Sequence, residues 1–469
     1  MRRTATLPIS GGARVAVPDS LNLMTPYVLY EQQDWFEDEI GFLRRVLKPG
    51  QQAIDVGANY GVYTLSMAQS VGPTGIVWAF EPASSTAEFL AQGIAANGFS
   101  HVILERSALS RECGTAQLTL HENSELNALT DTIDASTNRE TVPLVTLDDC
   151  LERHGWKNID LLKIDAEGHE SNIIEGGRRF FEELSPLVLY EVRTGNDFHL
   201  ELVNKLGSLG FESYRLVPGL DLLVPFDANS KPDNFLLNLF CCKKDRAASL
   251  FESGVLLTSP AIERAAAEFA LDDFIEEHEQ EYGWKVALAT LPYAAPCLPL
   301  WMPPKDCSPP VAEALTCFAV SQDPQLESSL RFGALRSSLR TLREVCDREP
   351  RHLRLASLAR VAREFGARAI AVMALRQLFE QITVGQWIDP GEPFLAPGKR
   401  FDAIRPHGDL QHWIRASALE ELERLMSFSS FFTGEDSRTR LEMIVAAGYA
   451  SDEMRRRLQL VQSRFPPPA

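Results

Sequence analysis

Four carboxylates, Asp55, Glu81, Asp165 and Glu191, each close a short apolar run, and the first two and the last two are each 26 residues apart. Ser107–Ala108 follows Glu81 by the same 26 residues. That step is one strand plus one helix, so in an open α/β sheet these positions share the crevice outside the strand carboxyl ends. Carboxylates crowded on one rim favour protonation unless a cation intervenes. Lys163, two residues before Asp165 and so on the same side of a strand, can supply part of that charge. Carboxylates placed this way can accept the hydroxyls of a ribose, meet an ammonium group, or take a proton from an alcohol. The stretch "AIDVGANYGVYTL" sets Asp55 where a pyrophosphate-cradling G-x-G-x-x-G turn needs its first glycine. A carboxylate there repels phosphate and suits an ammonium, while Gly57 and Gly61 still let backbone approach a ligand. The helix N-terminus that follows can hold a carboxylate. The turn therefore fits an amino acid better than a phosphate.

The elements that position these residues read as successive strand–helix units. "QAIDV", "GIVWAFE", "HVILERSA", "IDLLKID" and "PLVLYEV" are near-continuous apolar strands, the pattern of a parallel sheet covered on both faces. Between them, "VYTLSMAQS", "STAEFLAQGIAANG" and "HESNIIEGGRRFFEEL" are helical. "DWFEDEIGFLRRVL" precedes them as an amphipathic helix, with Trp35, Phe36, Ile40, Leu43 and Leu47 at helical spacing. Helix "FHLELVNKLGSLG" and strands "FESYRLV" and "NFLLNLFCC", expected as an antiparallel hairpin, close the zone. The interval from Ser107 to Asp165 is about twice the regular step, and "TAQLTL", "SELNALT" and "ETVPLVTLDD" read there as extra strands around a polar loop. An insertion at this point lies over the crevice rim, where Ser124, Glu125 and Asn127 can grip a hydroxylated substrate. Asp148 reads as a helix cap.

Amino acid at the first turn, ribose at Glu81 and base at Ser107–Ala108 together describe S-adenosylmethionine. From about Tyr30 to Arg193 the chain resembles the FkbM-type family of S-adenosylmethionine-dependent O-methyltransferases, through "AIDVGANYGVYTL", "VWAFEPASSTAEFL", "RSALS", "VTLDD", "LLKIDAEGHESNIIEGG" and "LVLYEV". The resemblance implies a class I methyltransferase (Rossmann-like) sheet of seven strands, the last antiparallel. It implies cofactor contacts from Asp55, Gly57, Ala58, Asn59, Gly61, Glu81, Pro82, Ser107 and Ala108, and a hydroxyl acceptor on a sugar, glycan, lipid or polyketide-like metabolite. Asp165 ends the strand expected nearest the methyl group and is the first candidate to orient or deprotonate the acceptor; Glu167, Lys163 and Glu191 come next. Ser124, Asn127 and His169 are candidates for holding substrate, although a histidine at a helix start also serves as a cap. Asp165, Glu167 and Glu191 are oxygen ligands suited to magnesium or calcium. Their spacing fixes no coordination geometry, so no metal site is assigned.

At 469 residues, with 45% hydrophobic and 23% charged residues, the chain has the size and composition of a multidomain globular protein. Residues 1–245 carry the methyltransferase pattern; 246–306 read as a linker region with an acidic helix and a proline-rich stretch; 307–469 read as an all-α domain. In that last part, helices such as "LASLARVAREFGARAIAVMALRQLFEQI" are amphipathic, and Ala356, Ala359 and Ala362 suit close helix packing. Such a domain can dimerise, bind a protein partner or contact a large acceptor, which inclines the acceptor towards a glycan. A net charge of −18 argues against nucleic acid or an anionic membrane as partner. No apolar run approaches a membrane span, "MRRTATLPISGG" lacks the apolar core of a secretory signal, and the eight cysteines contain no CxxC. A cytoplasmic location is the expectation. Two rivals remain: an NAD-binding oxidoreductase, against which Asp55 weighs, and a non-catalytic interaction protein working through its helical half.

Overall fold

The structure, a computed structural model, describes residues 3–129, 138–194, 197–268, 274, 278–301, 308–385 and 387–466. The chain forms two compact units: Met1–Leu216 with Pro225–Pro232 and Leu236–Glu252, and Val217–Val224 with Asp233–Phe235 and Ser253–Ala469. Seven strands of the main sheet lie in the first unit, in the order Glu212–Val217, Asn238–Cys242, Leu187–Glu191, Leu161–Ile164, Gln52–Val56, Ile76–Phe80, Val102–Glu105. The last five are parallel, and Asn238–Cys242 is antiparallel to both of its neighbours. This is the class I methyltransferase sheet. The strands show no polar alternation because both faces are covered: Ile54, Trp78, Leu162 and Val188 pack with Ile173, Phe180 and Phe181 of the helices in one core.

Beyond Ser107 a smaller four-stranded sheet, in the order Ala108–Leu109, Arg139–Val145, Gly114–Thr119, Ala128–Leu129, forms the expected insertion. Ser124–Leu126, expected within a strand, is a 3-10 turn at its tip. Two expected helices are redrawn by tertiary contacts. Helix Asp38–Val46 starts after Trp35 and Phe36; Asp34 is held outside it by a two-pronged pair with Arg44 at 2.6 and 2.7 Å. "HESNIIEGGRRFFEEL" divides into Glu170–Glu175 and Arg178–Glu183. The break falls where the Ser110 carbonyl presses on Gly176, 2.0 Å from where a Cβ would stand.

The second unit is built mainly of helices, among them Pro309–Gln322, Ser328–Arg348, His352–Phe365, Arg368–Thr383 and Leu410–Met426. Ala356, Ala359 and Ala362 sit in its core. So do Trp284, Tyr293 and Trp301, from the stretch expected to be a linker. That corrects the reading: aromatic side chains of this size gain more by entering the helical core than by lining a tether. Arg360 is buried there between Glu364 at 2.8 Å and Asp402 at 2.7 Å. No helix among the described residues is long and apolar enough to cross a membrane.

Candidate active site

At the carboxyl ends of the central strands the first unit encloses a cleft of about 990 Å³, counting its open mouth. It is lined by Gly57, Ala58, Asn59, Glu81, Pro82, Ser107 and Ala108 on the side expected to hold cofactor, and by Ser124, Asn127, Lys163, Asp165, Glu167 and His169 on the other. With Glu125, which also lines it, the main sheet and its insertion bring fourteen of the seventeen candidate residues to one cavity. Asp55, Gly61 and Glu191 are not on its wall.

The turn expected to hold cofactor has three left-handed residues, Gly57, Asn59 and Gly61. Gly57 has φ 72°, and a Cβ on it would stand 1.8 Å from the Asp165 carbonyl oxygen. Only glycine lets these two strand ends meet. Asn59 has φ 49°, unusual for a residue with a side chain. Its N–H donates to Glu81 Oε2 at 2.8 Å, and its Oδ1 accepts from the Ser124 hydroxyl at 2.9 Å. Ala83 N–H donates to Glu81 Oε1 at 2.9 Å. Burial pushes the Glu81 carboxyl up to about 7 although both amides pull it down. Each Glu81 oxygen keeps a lone pair for a further donor.

Asp55 departs from the expected ammonium contact. It is fully buried, accepts from the Thr64 hydroxyl at 2.6 Å and lies 3.5 Å from Lys163 Nζ. The side chain turns under the sheet end, so its charge is met by lysine within the protein. Gly61 works through packing: a Cβ there would stand 2.3 Å from Leu90 Cδ1.

Lys163 is the hub of the opposite wall. Its ammonium is buried, donates to Asp165 Oδ2 at 2.9 Å and sits 5.0 Å from the Tyr63 ring centre. Burial works against its charge, but Asp165 and Asp55 outweigh that and raise its pKa. The Asp165 side chain is 38% exposed, enough to reach a ligand. Glu167 stands beside it at φ 49°. Burial, then Asp165, Glu170 and Glu125, push the Glu167 carboxyl up to about 8. Burial, then Asp165, Glu167, Glu170 and Glu37, push the Glu191 carboxyl up to about 10. One carboxylate oxygen from each of Asp165, Glu167 and Glu191 falls within 4.8 Å of the others. His169 is held by Ser110 Oγ at 3.0 Å and Asn172 at 2.9 Å and makes no side-chain cap.

Residues 55–213 match the model of the methyltransferase FkbM domain. The N-terminal half carries an FkbM methyltransferase domain. Relatives of this FkbM half include methyltransferase sdnD of Sordaria araneosa, 28% identical over 34% of this chain and 74% of that protein. Methyltransferase 1 of Beauveria bassiana is 30% identical over 26% of this chain and 57% of its own. Among solved structures, an S-adenosylmethionine-dependent O-methyltransferase from Thermotoga maritima aligns with a TM-score of 0.26 at 17% identity, over 51% of this chain and 77% of its own. At family level, the matched domain is a methyltransferase; S-adenosylmethionine is the methyl donor that the resemblance implies.

The residues present suit that cofactor. Ser107 Oγ, buried on the wall, has no hydrogen-bond partner among the described residues, an unmet polar group on the side expected to hold cofactor. Gly57 leaves the cradle empty of side chain. Gly57→Ala in the FkbM domain is expected to cost about 1–2 kcal/mol for the left-handed backbone alone, more for the clash. It should abolish S-adenosylhomocysteine binding; calorimetry and a thermal melt check this, and an unchanged melt with intact binding would show a looser turn.

The inner wall also holds Thr25, Trp35, Glu37 and Tyr63, which sequence reasoning did not assign to the site. Glu37 accepts from Tyr63 OH at 2.5 Å, Trp35 Nε1 at 3.0 Å and Asn238 Nδ2 at 3.0 Å, fixing two aromatic side chains at once. For Trp35 and Glu37 the one signal was the tight "DWFEDE" run, two aromatics between acids ahead of a helix.

Proposed function

We propose that this protein transfers a methyl group to a hydroxyl oxygen of a sugar, glycan or related metabolite, with the cleft holding both S-adenosylmethionine and acceptor. The observation that carries the reading is Asp165: a partly exposed carboxylate on the cavity wall, anchored at one oxygen by Lys163. The cofactor when bound supplies an electrophilic sulfonium methyl. Glu81 and Asn59 would hold the ribose side, Ser107 the base side, and Gly57 would let the backbone close on the amino-acid portion. Asp165 would accept the hydroxyl proton as the oxygen–carbon bond forms, and Lys163 keeps its carboxylate from swinging away. Ser124, Asn127 and His169 would orient the acceptor. Glu167 and Glu191, whose carboxyls burial and repulsion push upward, can meet one another through a shared proton, and the reading needs no metal ion.

Titration calorimetry with S-adenosylmethionine, S-adenosylhomocysteine and NAD tests the cofactor. Binding of the first two, with none of NAD, is expected; binding of NAD alone sinks the proposal.

A further inference from the structure

Glu125 holds an unusual position on the acceptor side of the cleft. It belongs to the turn at the tip of the insertion, and it lines the cavity. Its Oε1 accepts from Thr25 N at 3.2 Å and from the Thr25 hydroxyl, while Asn123 Oδ1 accepts from Met24 N at 2.9 Å. The carboxylate is therefore pinned by the start of the helix Met24–Gln32. Its Oε2 is buried and has no hydrogen-bond partner among the described residues. A buried carboxylate oxygen left without a donor is costly, and a ligand that brings one removes the cost.

The charges around it say which donor. Glu37, Glu81, Glu125, Asp165 and Glu167 line the cavity, against Lys163 as the one lysine or arginine among the described lining residues. That ammonium is already shared by Asp165 and Asp55. Burial holds the Glu125 carboxyl up near 7, and Asp165 adds to the rise. An acceptor bearing phosphate or carboxylate would bring a further negative charge to a wall rich in carboxyl groups, whose one lysine is already shared. A neutral hydroxyl could satisfy Oε2 but would leave the excess charge in place. A protonated amine does both, through a charge-assisted hydrogen bond. Trp35, Tyr60 and Tyr63 add aromatic surface to the same cavity, which also favours a cation.

We propose that Glu125 is the residue that selects the acceptor, its Oε2 receiving a protonated amine carried by the molecule whose hydroxyl is methylated. This rests on the reading of the cleft as a methyl-transfer site, and it names the substrate class as an amine-bearing alcohol such as an amino sugar.

Three probes share one ring and differ at carbon 6: 6-amino-6-deoxyglucose, glucose and glucuronate. Binding of each to the full chain saturated with S-adenosylhomocysteine is followed by NMR. The amino sugar is expected to bind about tenfold or more tighter than glucose, with glucuronate weakest. Glu125→Gln should bring the amino sugar down to the level of glucose and leave S-adenosylhomocysteine affinity in place. Equal binding of the three sugars, a preference for glucose or glucuronate, or no binding of any overturns the inference. The wild-type ranking decides even where the variant fails to fold. Failure of S-adenosylhomocysteine itself to bind strikes instead at the methyl-donor reading.

Discussion

Asp165→Asn is expected to cut turnover about 10²–10⁴-fold with any acceptor that the wild type methylates, the range of a lost general base. The substitution keeps size and shape and leaves the Asp165 carbonyl, against which Gly57 packs, where it is. S-adenosylhomocysteine should therefore still bind, while the melting temperature falls because buried Lys163 loses one of its two carboxylate partners and keeps only Asp55. Single-turnover methyl transfer from labelled cofactor separates the two quantities. Full turnover in the variant would remove the proton-accepting role from Asp165 and pass it to Glu167, the neighbouring carboxylate on the wall. Loss of cofactor binding instead would mean that Asp165 serves the cofactor more than the acceptor.

The second large effect is one of stability. Lys163→Met removes the ammonium 3.5 Å from Asp55, whose side chain is 0% exposed, and strands a carboxylate inside the sheet end. Breaking a buried pair at one partner costs about 3–5 kcal/mol. The loss should depend on pH in a stated direction. Burial already raises the Asp55 carboxyl in the fold, with Lys163 and the Thr64 hydroxyl holding it back; without the lysine it rises further. A group that binds its proton more tightly folded than unfolded loses stability as pH climbs from the unfolded value of about 4 towards the folded one. The deficit against wild type is thus smallest near pH 4 and widens towards neutrality. Urea unfolding across that range checks it, and a deficit that does not change with pH would mean that Asp55 is satisfied by some other partner.

Much of the site was legible because it hangs on strand ends. A strand's apolar run and its closing polar residue are local facts, and a parallel sheet turns regular spacing into adjacency, so Glu81, Ser107, Lys163 and Asp165 could be gathered around one crevice from spacing. What stayed hidden depends on contacts distant in sequence. Trp35 fits the helical spacing of the segment after it, and nothing local tells that Arg44 holds Asp34 outside the helix and leaves Trp35 at the cavity. Gly176 breaks a helix because of a carbonyl from residue 110. Asp55 has the right type and place for a ligand ammonium, yet its rotamer turns inward to Lys163 and Thr64, a choice that only the packed site fixes. The stretch 246–306 looked like a tether since prolines interrupt its periodicity, but its large aromatic residues had a core to enter.

The contact of Gly57 with the Asp165 carbonyl has a bearing on precision. The loop that would cradle the methyl donor and the loop that carries the proposed proton acceptor touch backbone to backbone, with no side chain as a spacer between them. Soft intermediaries let parts drift; abutting backbones do not. Donor and acceptor chemistry are then aligned to a tolerance smaller than one methyl group, and the alignment comes from the joint itself before either substrate arrives.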